Sequence, residues 1–167
     1  MSNKISVFEI IKGNFDTLYD VDTGKRSYMD IATFYFLPLS ITLYVIHQSY
    51  LIPDKLIGDL LTASTLLAGL LLNLLLMVSN TKAKLPVPEL GAHDYDLTVL
   101  KRTIVQELFF NVSSASLVSF FLLVFCILGR VFSNSLTISC VIIFLSIHLF
   151  FSFLMITRRT YKLLLNL

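Results

Sequence analysis

Residues Leu108–Leu128 read LFFNVSSASLVSFFLLVFCIL, and none of them is Asp, Glu, Lys or Arg. An α-helix rises about 1.5 Å per residue, so this stretch extends about 30 Å, the thickness of the hydrocarbon core of a bilayer. A chain segment in lipid must satisfy its own backbone hydrogen bonds, which a helix does. The stretch therefore predicts a membrane-spanning helix.

Three other uncharged runs of similar length occur, at 31–51, 60–78 and 136–156. None alternates apolar and polar residues with a period of two, which argues against a β-barrel. Across the chain 56% of residues are hydrophobic and 14% are charged, whereas soluble domains carry about 25% charged residues. An ordinary soluble domain is thereby excluded. The predicted fold class is all-α, a four-helix transmembrane bundle with spans at 31–51, 60–78, 108–128 and 136–156.

The basic residues are distributed unevenly about the four spans. Eleven of the 13 Lys and Arg residues precede the first span, lie between the second and third spans, or follow the fourth. Because positively charged flanks stay in the cytoplasm, both termini and the long middle loop are predicted to be cytoplasmic. The formal net charge of +2 is too small to predict direct binding to nucleic acid.

The N-terminal segment, residues 1–30, contains an amphipathic pattern. Apolar residues recur every three or four positions from Ile5 to Leu18. This spacing predicts a helix lying at the membrane surface, with an interruption at Gly13 and Asn14.

The middle loop, residues 79–107, opens with a run that is predicted to be extended and not to continue the helix of the second span; the run contains Lys82, Lys84, Pro86, Pro88 and Gly91. A helical pattern starts at about Leu97, so the third helix is predicted to begin about 15 Å outside the bilayer. This stalk is either a docking surface or a solvated connector packed on the N-terminal segment. The residues predicted to bind a cytoplasmic partner, on the stalk and on the basic tail 157–167, are Lys101, Arg102, Glu107, Arg158, Arg159 and Lys162.

Polar residues within the spans are few and uncharged. Asn73 in the second span and Asn111 in the third lie at comparable depth, so their carboxamides can hydrogen-bond to each other or face a shared polar interior. Small residues at intervals of four allow close helix packing, either within one chain or between subunits. The predicted oligomer or pore residues are Thr65, Gly69, Asn73, Asn111, Ala115, Ser119 and His148.

Motifs that carry catalysis are missing from the sequence. It contains no H-E-x-x-H helix, no G-x-S-x-G turn, no phosphate-binding loop and no G-x-G-x-x-G fingerprint. No catalytic residue, metal ligand or cofactor is therefore predicted, and the chain is not expected to be an enzyme. Cys126 and Cys140 lie within or at the edge of spans and are predicted to be small packing residues rather than a disulfide.

Four stretches carry a resemblance to a known group of proteins. They are DIATFYFLPLS at 30–40, ASTLLAGLLLNLLLM at 63–77, QELFFNVSSASLVS at 106–119 and TRRTYKLLL at 157–165. Together they resemble small four-span bacterial inner-membrane proteins found beside phage-defence genes, and they look most like the membrane subunit of the Kiwa system. The resemblance implies a homo-oligomer, with a tetramer favoured, that senses infection and works with a cytoplasmic DNA-binding partner. It supplies no catalytic residues.

The sequence thus leads to one hypothesis and two alternatives. The chain is predicted to be a homo-oligomeric membrane sensor or effector subunit of an anti-phage system, located in the bacterial inner membrane and bound to a cytoplasmic protein. One alternative is a pore that depolarises the membrane, with the polar residues of the spans facing its lumen. The other is a plain membrane anchor for an enzyme complex.

Overall fold

The structure of the protein, a computed structural model, describes residues 7–16, 32–86, 95–132 and 135–165. All regular secondary structure in these ranges is helical. The elements are α1 (Val7–Asp16), a π-helical turn (Ala32–Phe36), α2 (Leu37–His47), α3 (Asp54–Lys84), α4 (Tyr95–Val131) and α5 (Leu136–Leu165). Residues 17–30 of the N-terminal segment, the first residue of the predicted first span (Ile31) and residues 87–94 of the middle loop lie outside the described residues.

Three helices have the length and composition of membrane spans. They are α3, α4 and α5, each with an 18-residue window of mean hydropathy between 2.1 and 2.4. The predicted first span corresponds to the π-helical turn and α2, which together cover residues 32–47, about 24 Å of helix. Helical structure throughout the described residues, with three helices long and apolar enough to cross a membrane, is therefore confirmed, whereas a fourth span and the orientation of the termini stay predictions.

The ends of α3 follow from its flanking prolines. Pro53 precedes the helix in an extended conformation, with φ −62° and ψ 143°, and Asp54 places a negative charge in the first turn. At the other end Leu85 is extended, with φ −68° and ψ 130°, because a residue that precedes a proline disfavours the helical conformation. The prediction that the helix stops before Lys82 was wrong, since it continues to Lys84 and Pro86 is the first proline it meets.

The third predicted span is part of one long helix. α4 begins at Tyr95, two residues before the predicted start at about Leu97, and continues without a break to Val131. Its 37 residues rise about 55 Å, well beyond the roughly 30 Å hydrocarbon core. Asp96 lies in the first turn, where its carboxylate complements the helix dipole.

The chain turns into α2 through a π-helical turn. Pro38 lies at the start of α2, directly after this turn, and is buried. A proline ring lacks an N–H group and clashes with the preceding turn of a regular helix, so a locally wider turn accommodates it. The hydroxyls of Ser40 and Thr42 donate to the carbonyls of Phe36 and Pro38, at 2.7 and 2.8 Å. The π-helical turn thus lies directly before the helix that contains Pro38.

The largest helix interface is that between α3 and α4. The buried residues of α3 are spaced by seven, and a set of buried residues of α4 is spaced alternately by three and four, which is the repeat of a left-handed coiled coil. The buried α3 residues are Ile57, Ser64, Leu71 and Val78. The α4 residues of the repeat are Val105, Leu108, Val112, Ala115, Ser119, Leu122, Cys126 and Gly129. Small side chains in the middle of this interface let the two backbones approach closely.

The helices α2 to α5 pack in the order α3, α4, α5, α2. Among the described residues α2 contacts α5 and has no contact with α3, although α3 follows it in the chain. The connection between them passes the start of α5, where the Ile52 N–H donates to the Ser139 hydroxyl at 3.5 Å. α3 and α2 are therefore the two edge helices of the row.

The N-terminal helix packs against α4. α1 runs from Val7 to Asp16 without a break, so the predicted interruption at Gly13 and Asn14 was wrong. Asn14 is only 7% exposed, because α1 packs against α4. A helix tolerates Gly and Asn in its interior when tertiary packing outweighs their low propensity.

Candidate functional site

One end of the molecule is basic, and we call it the basic end. Here α3 finishes, α4 begins and α5 finishes, and the three helices carry Lys82, Lys84, Lys101, Arg102 and Arg158. The Arg159 guanidinium on α5 lies 3.2 Å from the Glu107 carboxylate on α4. Only 15% and 25% of these two side chains are exposed, so the ion pair is shielded from solvent and joins the projecting parts of α4 and α5.

A second set of contacts fixes the end of α3 to α4. The Arg102 guanidinium donates to the carbonyls of Leu85 and Pro86, at 3.1 and 2.9 Å. Those carbonyls come directly after the last turn of α3, where the chain has left the helix. One turn earlier the Lys82 ammonium lies 5.3 Å from the centre of the Phe109 ring, within cation–π range. The three helix ends therefore form one connected platform.

The six predicted partner-binding residues thus divide into two groups. Arg102, Glu107 and Arg159 hold the platform together through contacts within the chain. Arg158 is exposed and Lys101 is half-buried, and neither forms an ion pair within the described part of the chain. The side chain of Lys162 lies outside the described residues.

Reversing one member of the Glu107–Arg159 pair tests its structural role. We expect Glu107→Arg to lower the free energy of unfolding by about 1 to 2 kcal/mol, because two like charges then meet in a shielded site. The double variant Glu107→Arg/Arg159→Glu should recover most of that loss. Unfolding by SDS in mixed micelles measures the change. Equal destabilisation by the single and double variants would contradict a stabilising role for the Glu107–Arg159 ion pair.

An open groove of about 510 Å³ lies beside the ion pair, between α1 and α4. Its lining residues are Glu9, Lys12, Gly13, Thr103, Gln106, Glu107 and Phe110. Both charge signs and an aromatic ring are present, so the groove offers mixed polar and apolar contacts.

Three consecutive residues of α1 form its attachment to the rest of the protein. Gly13 packs so tightly on Phe110 that a Cβ atom there would lie 2.5 Å from the ring. The Asn14 amide nitrogen donates to the Asn111 side-chain oxygen at 3.4 Å, and both residues are buried. The Phe15 ring stacks on Tyr35, with centroids 5.0 Å apart.

The attachment continues into α5 through aromatic contacts. Tyr35 lies in the π-helical turn, and its ring is 5.3 Å from the His148 imidazole. On its other flank His148 stacks on Phe144, with centroids 6.1 Å apart and planes nearly parallel. Rings from α1, the π-helical turn and α5 therefore form one continuous cluster.

The structure places the predicted oligomer or pore residues in three separate environments. Asn111, Ala115 and Ser119 are buried inside the chain, where the Ser119 hydroxyl donates to the Ser64 carbonyl at 2.9 Å. His148 lies among aromatic rings. Thr65, Gly69 and Asn73 are exposed on α3. These residues do not line a common lumen within one chain.

The anticipated contact between Asn73 and Asn111 is not formed. The Asn111 carboxamide bonds to Asn14 instead, and Asn73 lies on the side of α3 that faces away from α4. Sequence reasoning missed Asn14 because it was interpreted as a break in the helix. An amide in the middle of an otherwise apolar helical stripe was the available signal that it points into a packed interface.

The described residues show neither a metal cluster nor a disulfide. No group of three His, Cys, Asp or Glu side chains close enough to hold a metal ion occurs among them. Cys126 and Cys140 are free and buried, as expected for small packing residues.

Comparison of the chain with protein-family models, with curated proteins and with solved structures finds no match. The proposed function therefore rests on the chain's own residues and on the resemblance that four of its stretches carry.

Proposed function

We propose that the chain is the homo-oligomeric membrane sensor or effector subunit of a bacterial anti-phage defence system, and that it holds a cytoplasmic protein partner on the basic end. The observation that carries this proposal is the platform formed by α3, α4 and α5 beyond their apolar stretches. The resemblance described above supplies the defence context and the bacterial inner membrane as the location.

A fixed platform favours binding because less freedom is lost when the partner docks. The contacts of Arg102 and the Glu107–Arg159 ion pair hold the helix ends in place before any partner arrives. A single exposed helix would instead have to be ordered on binding. The platform is thus suited to docking a folded protein.

The charge of the platform indicates which surface it binds. Arg158 is exposed and Lys101 is partly exposed, whereas the acidic Glu107 is already paired with Arg159. The remaining field is positive, so an acidic surface on the partner complements it and speeds the encounter.

Charge reversal at the platform tests the proposal. We expect Lys101→Glu/Arg158→Glu to reduce the amount of cytoplasmic protein that co-purifies with the membrane protein by about tenfold or more, because like charges then meet across the interface. Protection of cells against phage should fall with it. Gentle detergent extraction, followed by quantitative mass spectrometry and a plaque assay, provides both measurements.

Lys55→Glu/Arg130→Glu is the matched control for this experiment, because it reverses the same number of charges. Both residues are exposed at the ends of α3 and α4 that lie away from the basic end, so their reversal changes the net charge without touching the platform. Retention of the partner and of protection in Lys101→Glu/Arg158→Glu would contradict the proposal. Equal loss in the control variant would show that the effect is one of overall charge.

A further inference from the structure

We propose that the exposed face of α3 docks a second copy of this chain, with the Asn73 carboxamides of the two copies hydrogen-bonded to each other. The inference rests on the membrane location and self-association of the proposed function, and it specifies the surface involved. It also separates the predicted oligomer residues, because only those on α3 are accessible to another chain.

The face in question lies opposite the contact with α4. Ile57, Ser64, Leu71 and Val78 bury one side of α3, and the other side meets no helix within the described part of the chain. Along that side exposed residues recur at intervals of four and three, which is again the repeat of a coiled coil. These residues, which we call the outer seam, are Thr62, Leu66, Gly69, Asn73, Leu76 and Asn80.

Asn73 is the amide of the outer seam that lies within the apolar stretch and requires a partner there, whereas Asn80 lies two residues from Lys82 and beyond the predicted span 60–78. The nearest charged residues on either side of Asn73 along the helix are Lys82, nine residues away, and Asp59, fourteen residues away. About 13 Å of helix therefore separate Asn73 from Lys82, the closer of the two. No hydrogen bond to its side chain is formed within the described part of the chain. An unsatisfied carboxamide in hydrocarbon is costly.

The hydroxyls on the same helix do not have this requirement. Thr62 and Thr65 donate to the carbonyls of Gly58 and Leu61 in their own helix, at 3.1 and 2.8 Å. Both can therefore face lipid at little cost. Asn73 thus marks a contact with another polar group, whereas the threonines do not.

A second copy supplies that group at the correct depth. All copies of one chain enter the membrane in the same orientation, so two α3 helices that meet about a twofold axis run parallel and each residue faces itself. A carboxamide has both donors and an acceptor, which makes Asn73 complementary to its own copy. Gly69, one turn away, has nothing within 4 Å of a Cβ position and allows the two backbones to approach closely.

The other edge helix provides a comparison within the same chain. α2 exposes Leu39, Leu43 and Tyr44, and its Ser40 hydroxyl is bonded to the Phe36 carbonyl. Apolar side chains and satisfied hydroxyls are what a lipid-facing surface requires. Of the two edges, the α3 edge therefore has the stronger requirement for a protein partner.

Disulfide cross-linking in native membranes tests this geometry. A single introduced cysteine links two chains only where an interface brings the same residue of both copies together. We expect Leu66→Cys to form a cross-linked dimer on mild oxidation and Leu43→Cys on α2 to form none, although these residues are similarly exposed, at 66% and 57%. The unmodified chain gives the background, since Cys126 and Cys140 are buried. Cross-linking of Leu43→Cys without Leu66→Cys would overturn the proposal.

Substitution of Asn73 tests the hydrogen bond itself. In the Leu66→Cys background, Asn73→Leu is expected to weaken dimerisation in detergent by about tenfold, the scale expected for losing interhelical hydrogen bonds. Asn73→Gln should retain most of the association because its amide offers the same groups. Unchanged dimerisation of Asn73→Leu would overturn the proposed hydrogen bond between the two Asn73 side chains. An unchanged SDS unfolding profile of the Asn73→Leu monomer would show that the chain itself remains folded.

The same samples separate this inference from the proposed function. A cross-linked Leu66→Cys dimer without any co-purified cytoplasmic protein would support the α3 interface and contradict the proposed complex with a partner. A co-purified cytoplasmic protein without a cross-link at Leu66 would support the complex and contradict the α3 interface.

Discussion

Replacement of Ser119 by leucine is expected to push α3 away from α4 and to lower the free energy of unfolding by about 3 kcal/mol, at the upper end for overpacking a core site. Ser119 is 0% exposed, and its hydroxyl lies 2.9 Å from the Ser64 carbonyl, so the side chain touches the backbone of the neighbouring helix. A leucine has no free volume to occupy there. Titration with SDS in mixed micelles measures the change.

Two controls separate the steric effect from the lost hydrogen bond. Ser119→Ala removes the hydroxyl without adding volume and should cost about 0.6 kcal/mol, the average for such bonds between membrane helices. Ala63→Leu adds bulk to α3 at an exposed position and should have little effect. A loss in Ser119→Ala as large as that in Ser119→Leu would contradict the packing explanation.

The long spans were predictable because lipid leaves the backbone few alternatives. An apolar run without charges must be helical in a membrane, so the runs around Leu71, Leu122 and Leu149 identified α3, α4 and α5. The ends of the helices were harder to predict from the sequence. Lys82 and Lys84 suggested that α3 had finished, but a charged residue does not terminate a helix, and only Pro86 does.

The position of each intramembrane polar residue could not be predicted from depth alone. Asn73 and Asn111 lie at similar distances from the ends of their spans, which suggested a contact between them. Helix rotation decides the partner, and it follows from packing along the whole seam between α3 and α4. Because Ser64 and Leu71 point into this seam, Asn73 points away from it. Asn111 remains inside, where it meets a residue 97 positions earlier in the chain.

The packing of α1 on α4 could not be predicted from the sequence for a related reason. Gly13 and Asn14 have low helix propensity, so local sequence indicated a break. Their partners Phe110 and Asn111 lie on α4, and contacts across such a separation leave no local pattern. The tertiary contact outweighs the propensity, and the helix continues to Asp16.

Gly13→Val is expected to detach α1 from α4. A Cβ atom at this position would lie 2.5, 2.6 and 2.9 Å from three atoms of the Phe110 ring, including the atom that joins the ring to the rest of its side chain. The ring cannot clear all three by a small adjustment. An ordinary glycine-to-larger substitution in a helix gains propensity, but here the clash dominates, and a cost of about 2 kcal/mol raises the detached population roughly 30-fold.

Hydrogen exchange of the α1 amides measures this population directly, because detachment exposes them to solvent. Protection of α1 should fall in Gly13→Val, while the seam between α3 and α4 keeps its protection. Phe110→Ala removes the clashing ring, so Gly13→Val/Phe110→Ala should be better protected than Gly13→Val. Lower or equal protection in the double variant would show that the valine does not act through a clash with the Phe110 ring.

Because Asn14 and Phe15 follow Gly13 directly, detachment of α1 also removes the contacts with Asn111 and Tyr35. The same variant therefore links the first helix to the aromatic cluster around His148.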